Sequence, residues 1–206
     1  MANLKRDGKA KPQEVQPVKK SKDVKKIRQY LKGKNNKRDY AIWVCGTNFL
    51  LRATNLLKIR WNDVLEDGDT FRTHLIIGEQ KTDKAARQKI NNDVKEAFRL
   101  YKDHVNAFDI DNYIFISRKD NSHITVRSLH KIIKTTFNEL GIKGNLGTHT
   151  LRKTGAYKIY ADNIKDNPAI ISYIQKILNH SSQSITLRYI GIKAEEIDNI
   201  FDSIKW

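Results

Sequence analysis

The chain has little of what holds together small secreted proteins or membrane proteins. One cysteine in 206 residues, Cys45, excludes an internal disulfide framework and any cysteine-rich zinc site. Three prolines and ten glycines are too few for a collagen-like or low-complexity chain. No apolar run is long enough to cross a bilayer, and the lysine-bearing N-terminus has no apolar stretch of signal-peptide length. An intracellular protein is therefore expected. Negative charge is also short: 23 Asp and Glu stand against 39 Lys and Arg, a net charge of +16. That excess sets up a long-range positive potential and favours polyanionic partners, nucleic acid before anionic membrane. With 39% hydrophobic residues the chain can still bury one substantial core.

Periodicity predicts a mainly α protein with a small antiparallel β-sheet, an α+β class. Residues 1–20 carry Lys5, Arg6, Lys9, Lys11, Lys19 and Lys20 among polar residues, and read as a flexible basic tail. One domain is expected from 21 to 206. Ser21 is the expected N-cap of a helix to about Leu31, with Val24, Ile27 and Leu31 on one face. A second helix is expected over Lys37–Gly46, where Cys45 reads as a small buried hydrophobe, and helical spacing continues over Leu50–Leu57. Thr70–Ile77 and Gln88–Ile90 read as strands around a polar connection. Further helices are expected over Asp93–Val105, Thr125–Leu140 (stopped by Gly141), His149–Ala161 (capped by Thr148), and after Asn167-Pro168. A short helix capped by Ser181 or Ser182 carries Tyr189, and an amphipathic helix spans 195–204.

Chemistry gathers in the last third. His149-Thr-Leu-Arg152-Lys-Thr154 is followed by Leu178-Asn-His180, and Tyr189 stands nine residues beyond that histidine. A tyrosine hydroxyl can attack phosphorus, and fixed cations can hold the non-bridging oxygens whose charge builds in the transition state. Taken singly, these residues have bland readings: a helix-opening histidine, a satisfied core histidine, an arginine snorkelling from an apolar helix. The remaining seven of eight tyrosines fall in helical apolar patterns or a strand and read as core. His74, His104, His123 and His130 show no metal-ligand spacing.

The ordered set resembles the catalytic domain of the tyrosine recombinase (phage integrase) family, over residues 21 to about 192. Arg52-Ala-Thr-Asn-Leu-Leu-Lys-Ile-Arg-Trp61-Asn-Asp63-Val is similar to its first arginine motif, and Glu79-Gln-Lys81-Thr82 to its hairpin lysine motif. His149-x-x-Arg152, Leu178-x-His180 and Tyr189 match the second box, the third box and the nucleophile position. The resemblance implies a site-specific DNA recombinase that cuts and rejoins DNA through a 3′-phosphotyrosine, with no metal, ATP or other cofactor. It implies Arg52 and Arg152 as bidentate phosphate clamps, Tyr189 as nucleophile, and His149 as proton acceptor or phosphate contact. Lys81 would be the general acid for the leaving 5′-oxygen, and His180 a hydrogen-bond donor to phosphate. Implied partners are double-stranded DNA, further copies of the chain (dimer or tetramer on DNA), and accessory DNA-bending or directionality proteins, in a cytoplasmic, nucleoid-associated setting within a mobile element or phage. Helix 195–204 would be a subunit contact. Two other readings are a type IB topoisomerase-like relaxing enzyme and a non-catalytic DNA-binding module.

The chain departs from the family pattern in places. Asn55 replaces the acidic residue that usually buttresses the first arginine, Leu50 a glycine, and Asn179 a glycine beside the third-box histidine. The stretch around Asp162–Pro168 is longer than usual, and only residues 1–20 stand where a core-binding domain is expected, as in a minimal recombinase or a piece of a longer one.

Overall fold

The computed structural model describes residues 14–78, 85–105, 108–120 and 122–192. Lys81, the helix expected over 195–204 and residues 1–13 lie outside the described residues. The elements in order are α1 (Ser21–Gly33), α2 (Lys37–Phe49), α3 (Ala53–Leu56), α4 (Trp61–Val64), β1 (His74–Gly78), β2 (Ala85–Lys89), α5 (Asn92–Lys102), α6 (Val126–Glu139), α7 (Thr148–Asn163), α8 (Ile170–Leu178) and α9 (Gln183–Ile190). β1 and β2 pair antiparallel, with His74 opposite Lys89 and Gly78 opposite Ala85. The architecture is thus mainly helical with a two-stranded sheet. Among the described residues no helix is long and apolar enough to cross a membrane.

Two helices organise the packing, and their sequences say why. α2 buries an unbroken run from Tyr40 to Gly46 and so touches neighbours all round: α1, α3, α5 and α7. α7 buries every residue from Thr150 to Ala156 and packs on α2, α6, α8 and α9. A helix that is apolar or small on every face, as α2 is over this run, must be covered on every face, whereas α7 also buries Arg152 and Lys153, which need partners of their own. The main core joins α1, α2, α5 and α6 around Trp43, Phe49, Trp61, Phe98 and Phe137. A second, smaller core gathers Ala156, Ile170, Ile171, Ile174, Leu178 and Ile190 from α7, α8 and α9, together with Leu50.

Leu50 closes α2 in the left-handed conformation, φ 54°. That costs a branched residue about 1–2 kcal/mol, whereas burying a leucine returns about 1.5–3. The side chain therefore stays, seated in the smaller core. Gly155 of α7 makes room for this corner: a Cβ there would stand 1.8 Å from the Thr47 carbonyl oxygen and 2.5 Å from Leu50 Cδ2. We expect Gly155→Ala to cost about 3 kcal/mol, seen as a lower urea midpoint with unchanged slope, because backbone and not a movable side chain is in the way.

Three expectations need correcting. Ser21 is the first helical residue of α1, while the cap position is Lys20, which offers no side-chain bond. Thr148 likewise lies inside α7; the cap is Gly147, whose N–H donates to Thr150 Oγ1 at 3.0 Å. The largest difference is the tail. Residues 14–20 run extended along α7 as a strap: Gln16 N–H donates to the Asn145 carbonyl at 2.8 Å, Thr150 Oγ1 to the Gln16 carbonyl at 2.9 Å, and Val18 N–H to Thr154 Oγ1 at 2.9 Å. Val18 is buried in the main core. Composition reads this stretch as solvated, but two threonines on a distant helix satisfy its backbone.

Candidate active site

Four chain segments meet at the open end of α7. Arg52 follows the left-handed corner at Leu50 and starts α3, its carbonyl accepting from Asn55 and Leu56 N–H at 3.0 and 2.9 Å. His149 and Arg152 stand one turn apart on α7, which puts them on one face. His180 lies in the link from α8 to α9, and Tyr189 on the last turn of α9. Ser182 starts α9 by accepting from Ile185 N–H at 3.2 Å.

Arg152 is buried, and its Nη2 donates to the Leu178 carbonyl at 3.1 Å. That carbonyl is one of the orphan acceptors at the C-terminus of α8, so a guanidinium suits it both as donor and as charge. Asn179 then turns the chain in the left-handed conformation, φ 52°, as its residue type permits. The turn lets His180 N–H donate to the Gln175 carbonyl at 3.0 Å, and Gln175 Nε2 returns a bond to the His180 carbonyl at 3.1 Å. The backbone on both sides of His180 is thereby tied down.

The Thr186 hydroxyl stands 3.0 Å from the Ser182 carbonyl and 3.1 Å from His180 Nδ1, so it holds the ring by one nitrogen and leaves Nε2 facing away from that bond. The His180 ring meets the Tyr189 ring edge-on, centroids 4.9 Å apart at 73°. The Tyr189 hydroxyl is buried and makes no hydrogen bond among the described residues.

Electrostatics bind the cluster into one unit. Burial pushes the Tyr189 phenol up from its ordinary value, against the pull of Arg152 and Arg52, and Glu14 adds to the rise. Loss of hydration lowers the pKa of the His149 imidazole, and Arg152, Lys153 and Arg52 lower it further. His180 is lowered for the same reasons, burial first, then Arg152, Arg52 and Lys153. Both imidazoles are neutral near pH 7. Their folded values lie below the ordinary 6.5, so acid favours proton uptake by the unfolded chain. This contribution to stability is complete above about pH 6.5 and is lost as pH falls below it. We expect the melting temperature to drop between about pH 6.5 and 5, and the drop to shrink in a His149→Gln, His180→Gln double variant.

Of the six residues singled out in the sequence, five converge here: Arg52, His149, Arg152, His180 and Tyr189. Lys81 falls in the β1–β2 connection, outside the described residues. Two residues of the cluster were not singled out, Lys153 and Glu14. Lys153 is almost wholly buried, its Nζ 2.5 Å from Glu14 Oε1 and 4.6 Å from the centre of the Tyr189 ring. Its place directly after Arg152 was the available signal, but among 39 Lys and Arg residues one lysine draws no attention. Among the described residues no three His, Cys, Asp or Glu side chains are grouped as metal ligands.

Residues 18–196 match the model of the phage integrase family. The probable integrase/recombinase YoeC of Bacillus subtilis (strain 168) is 35% identical over 178 residues, covering 86% of this chain and 90% of that protein. Among solved structures, the XerA recombinase superposes with a TM-score of 0.69 at 21% identity, covering 95% of this chain and 67% of XerA. The XerH site-specific recombinase bound to its difH substrate gives 0.61 at 18% identity, covering 97% of this chain and 59% of that one. A lambda integrase (75-356) dimer bound to a COC′ core site gives 0.65 at 14%, covering 89% and 63%. The fold is that of tyrosine recombinase catalytic domains, enzymes that cleave and rejoin DNA. The chain belongs to the phage integrase family.

Proposed function

We propose that this chain cuts and reseals double-stranded DNA at specific sites, with Arg52, His149, Arg152, His180 and Tyr189 as its catalytic residues. The observation that carries the assignment is the convergence of two guanidiniums and the His180 imidazole on the buried hydroxyl of Tyr189, with His149 in the field of the same two guanidiniums. Tyr189 Oη attacks the scissile phosphorus. The 5′-oxygen leaves and a 3′-phosphotyrosine remains on the cut strand. Neutral His149 accepts the phenolic proton, which its lowered pKa allows at neutral pH. Arg52 and Arg152 offer forked donors to the non-bridging oxygens and stay charged throughout. His180, its Nδ1 beside Thr186 Oγ1, donates to the phosphate through Nε2. Lys81 protonates the departing 5′-oxygen.

The phosphotyrosine keeps the free energy of the broken phosphodiester, so a second 5′-hydroxyl reseals the strand by the reverse path without ATP. Exchange between two sites calls for further copies of the chain assembled on DNA, in the cytoplasm where that DNA lies. Accessory bending or directionality proteins would choose between integration and excision. The net charge of +16 supplies the attraction for the DNA backbone.

The test is a nicked suicide duplex of the cognate site, incubated in EDTA without nucleotide. A covalent protein–DNA adduct at the 3′ phosphate supports the proposal; its absence at saturating DNA ends it. Pairing two such sites separates strand exchange from relaxation of one plasmid by a topoisomerase-like cycle.

A further inference from the structure

We propose that Lys153 is a positioning residue for the Tyr189 nucleophile, held in place by Glu14 of the N-terminal strap, so that the strap sets how the nucleophile is presented. This inference rests on the assignment of Tyr189 as nucleophile.

An ammonium group is rarely buried unless something compensates its lost hydration. The Lys153 side chain is 4% exposed and has two compensating contacts. One is the Glu14 carboxylate at 2.5 Å, and the other is the face of the Tyr189 ring, 4.6 Å from Nζ to the centroid. The ring is thus held by two groups, the ammonium over its face and the His180 ring set at 73° to it with centroids 4.9 Å apart. These contacts offset the cost of a phenol whose hydroxyl is buried without a hydrogen bond among the described residues. They fix the ring while leaving Oη uncommitted.

The remaining charges around Tyr189 are unfavourable to a further cation. Arg152 acts on it from α7 and Arg52 from the start of α3, while the imidazoles of His180 beside it and of His149 on α7 are neutral near pH 7. Lys176 of α8 and Arg188 of α9 are exposed to solvent. Among the described residues Glu14 is the one carboxylate that acts on the phenol. Its side chain is 58% exposed, so it is the detachable partner of the pair. The strap brings it there through the Gln16 and Val18 backbone bonds to Thr150 and Thr154, on the two sides of Arg152 and Lys153. Moving the strap therefore alters the charge balance at the nucleophile without touching a residue of the cleavage chemistry.

The experiment measures single-turnover adduct formation on the suicide duplex across pH, with DNA affinity and melting temperature recorded for each variant. Lys153→Met keeps the volume and removes the charge. It should slow cleavage roughly tenfold and move the alkaline limb of the rate profile upward, with affinity changed less than about threefold. Lys153→Arg should restore most of the rate. Glu14→Gln removes the carboxylate and should move the same limb downward. The inference is overturned if neither Lys153→Met nor Glu14→Gln shifts that limb, or if rates follow melting temperature alone. Should Lys153→Met fail to fold, Glu14→Gln on the surface decides. Tyr189→Phe is run in parallel: an adduct surviving there sinks the nucleophile assignment itself, whereas its loss beside unmoved pH profiles sinks only the role of Lys153 and Glu14.

Discussion

Replacing Tyr189 by phenylalanine should abolish the covalent DNA adduct while leaving the folded protein and its DNA affinity nearly unchanged. The change removes one oxygen that makes no hydrogen bond among the described residues, so little packing or bonding is lost. Burial of that hydroxyl without a partner is unfavourable, and its removal should raise the melting temperature slightly. A catalytic group kept at a cost to stability behaves this way, whereas a structural tyrosine does not. The measurements are adduct formation on a suicide duplex, equilibrium DNA binding, and thermal unfolding. An adduct still present in the phenylalanine variant would transfer the nucleophile to another residue.

The second large effect is expected from Arg152. Arg152→Ala should slow cleavage by about 10²–10³, the usual result of removing one preorganised donor from a developing anion. It should also lower stability, because the Leu178 carbonyl at the end of α8 loses its guanidinium partner. Arg152→Lys separates the two effects. The ammonium keeps the charge near the phosphate and near Tyr189, yet has no planar fork to serve phosphate and carbonyl together. We expect Arg152→Lys to bind DNA as the parent does and to remain well below it in cleavage rate. Equal losses of affinity and rate in both variants would make Arg152 a DNA-positioning contact and not a transition-state clamp.

The site was legible to the degree that chemistry is written in residue order. Spacing of one helical turn puts His149 and Arg152 on one face whatever surrounds them, and Asn179 announces a left-handed turn by its residue type. Cys45 also proved a buried small residue of α2. The strap was not legible. Its partners Thr150 and Thr154 lie more than a hundred residues away, and no local rule relates a basic Pro-containing segment to them. Leu50 shows the same limit from the other side. Residue preference argues against a leucine at positive φ, and only the core between α7, α8 and α9 supplies the compensation.

By itself, then, the amino-acid order determined the helical class, the small hairpin, the preference for a polyanionic partner and the set of side chains proposed to work on a phosphodiester, because these follow from periodicity, net charge and reactivity. Tertiary structure alone decided which cation faces the Tyr189 ring, that Thr186 sits beside His180 Nδ1, and that residues 14–20 are tied down along α7. The reason is physical: pKa values, ring orientations and buried ion pairs depend on distances between groups far apart in the chain, and those distances exist only after the helices have packed.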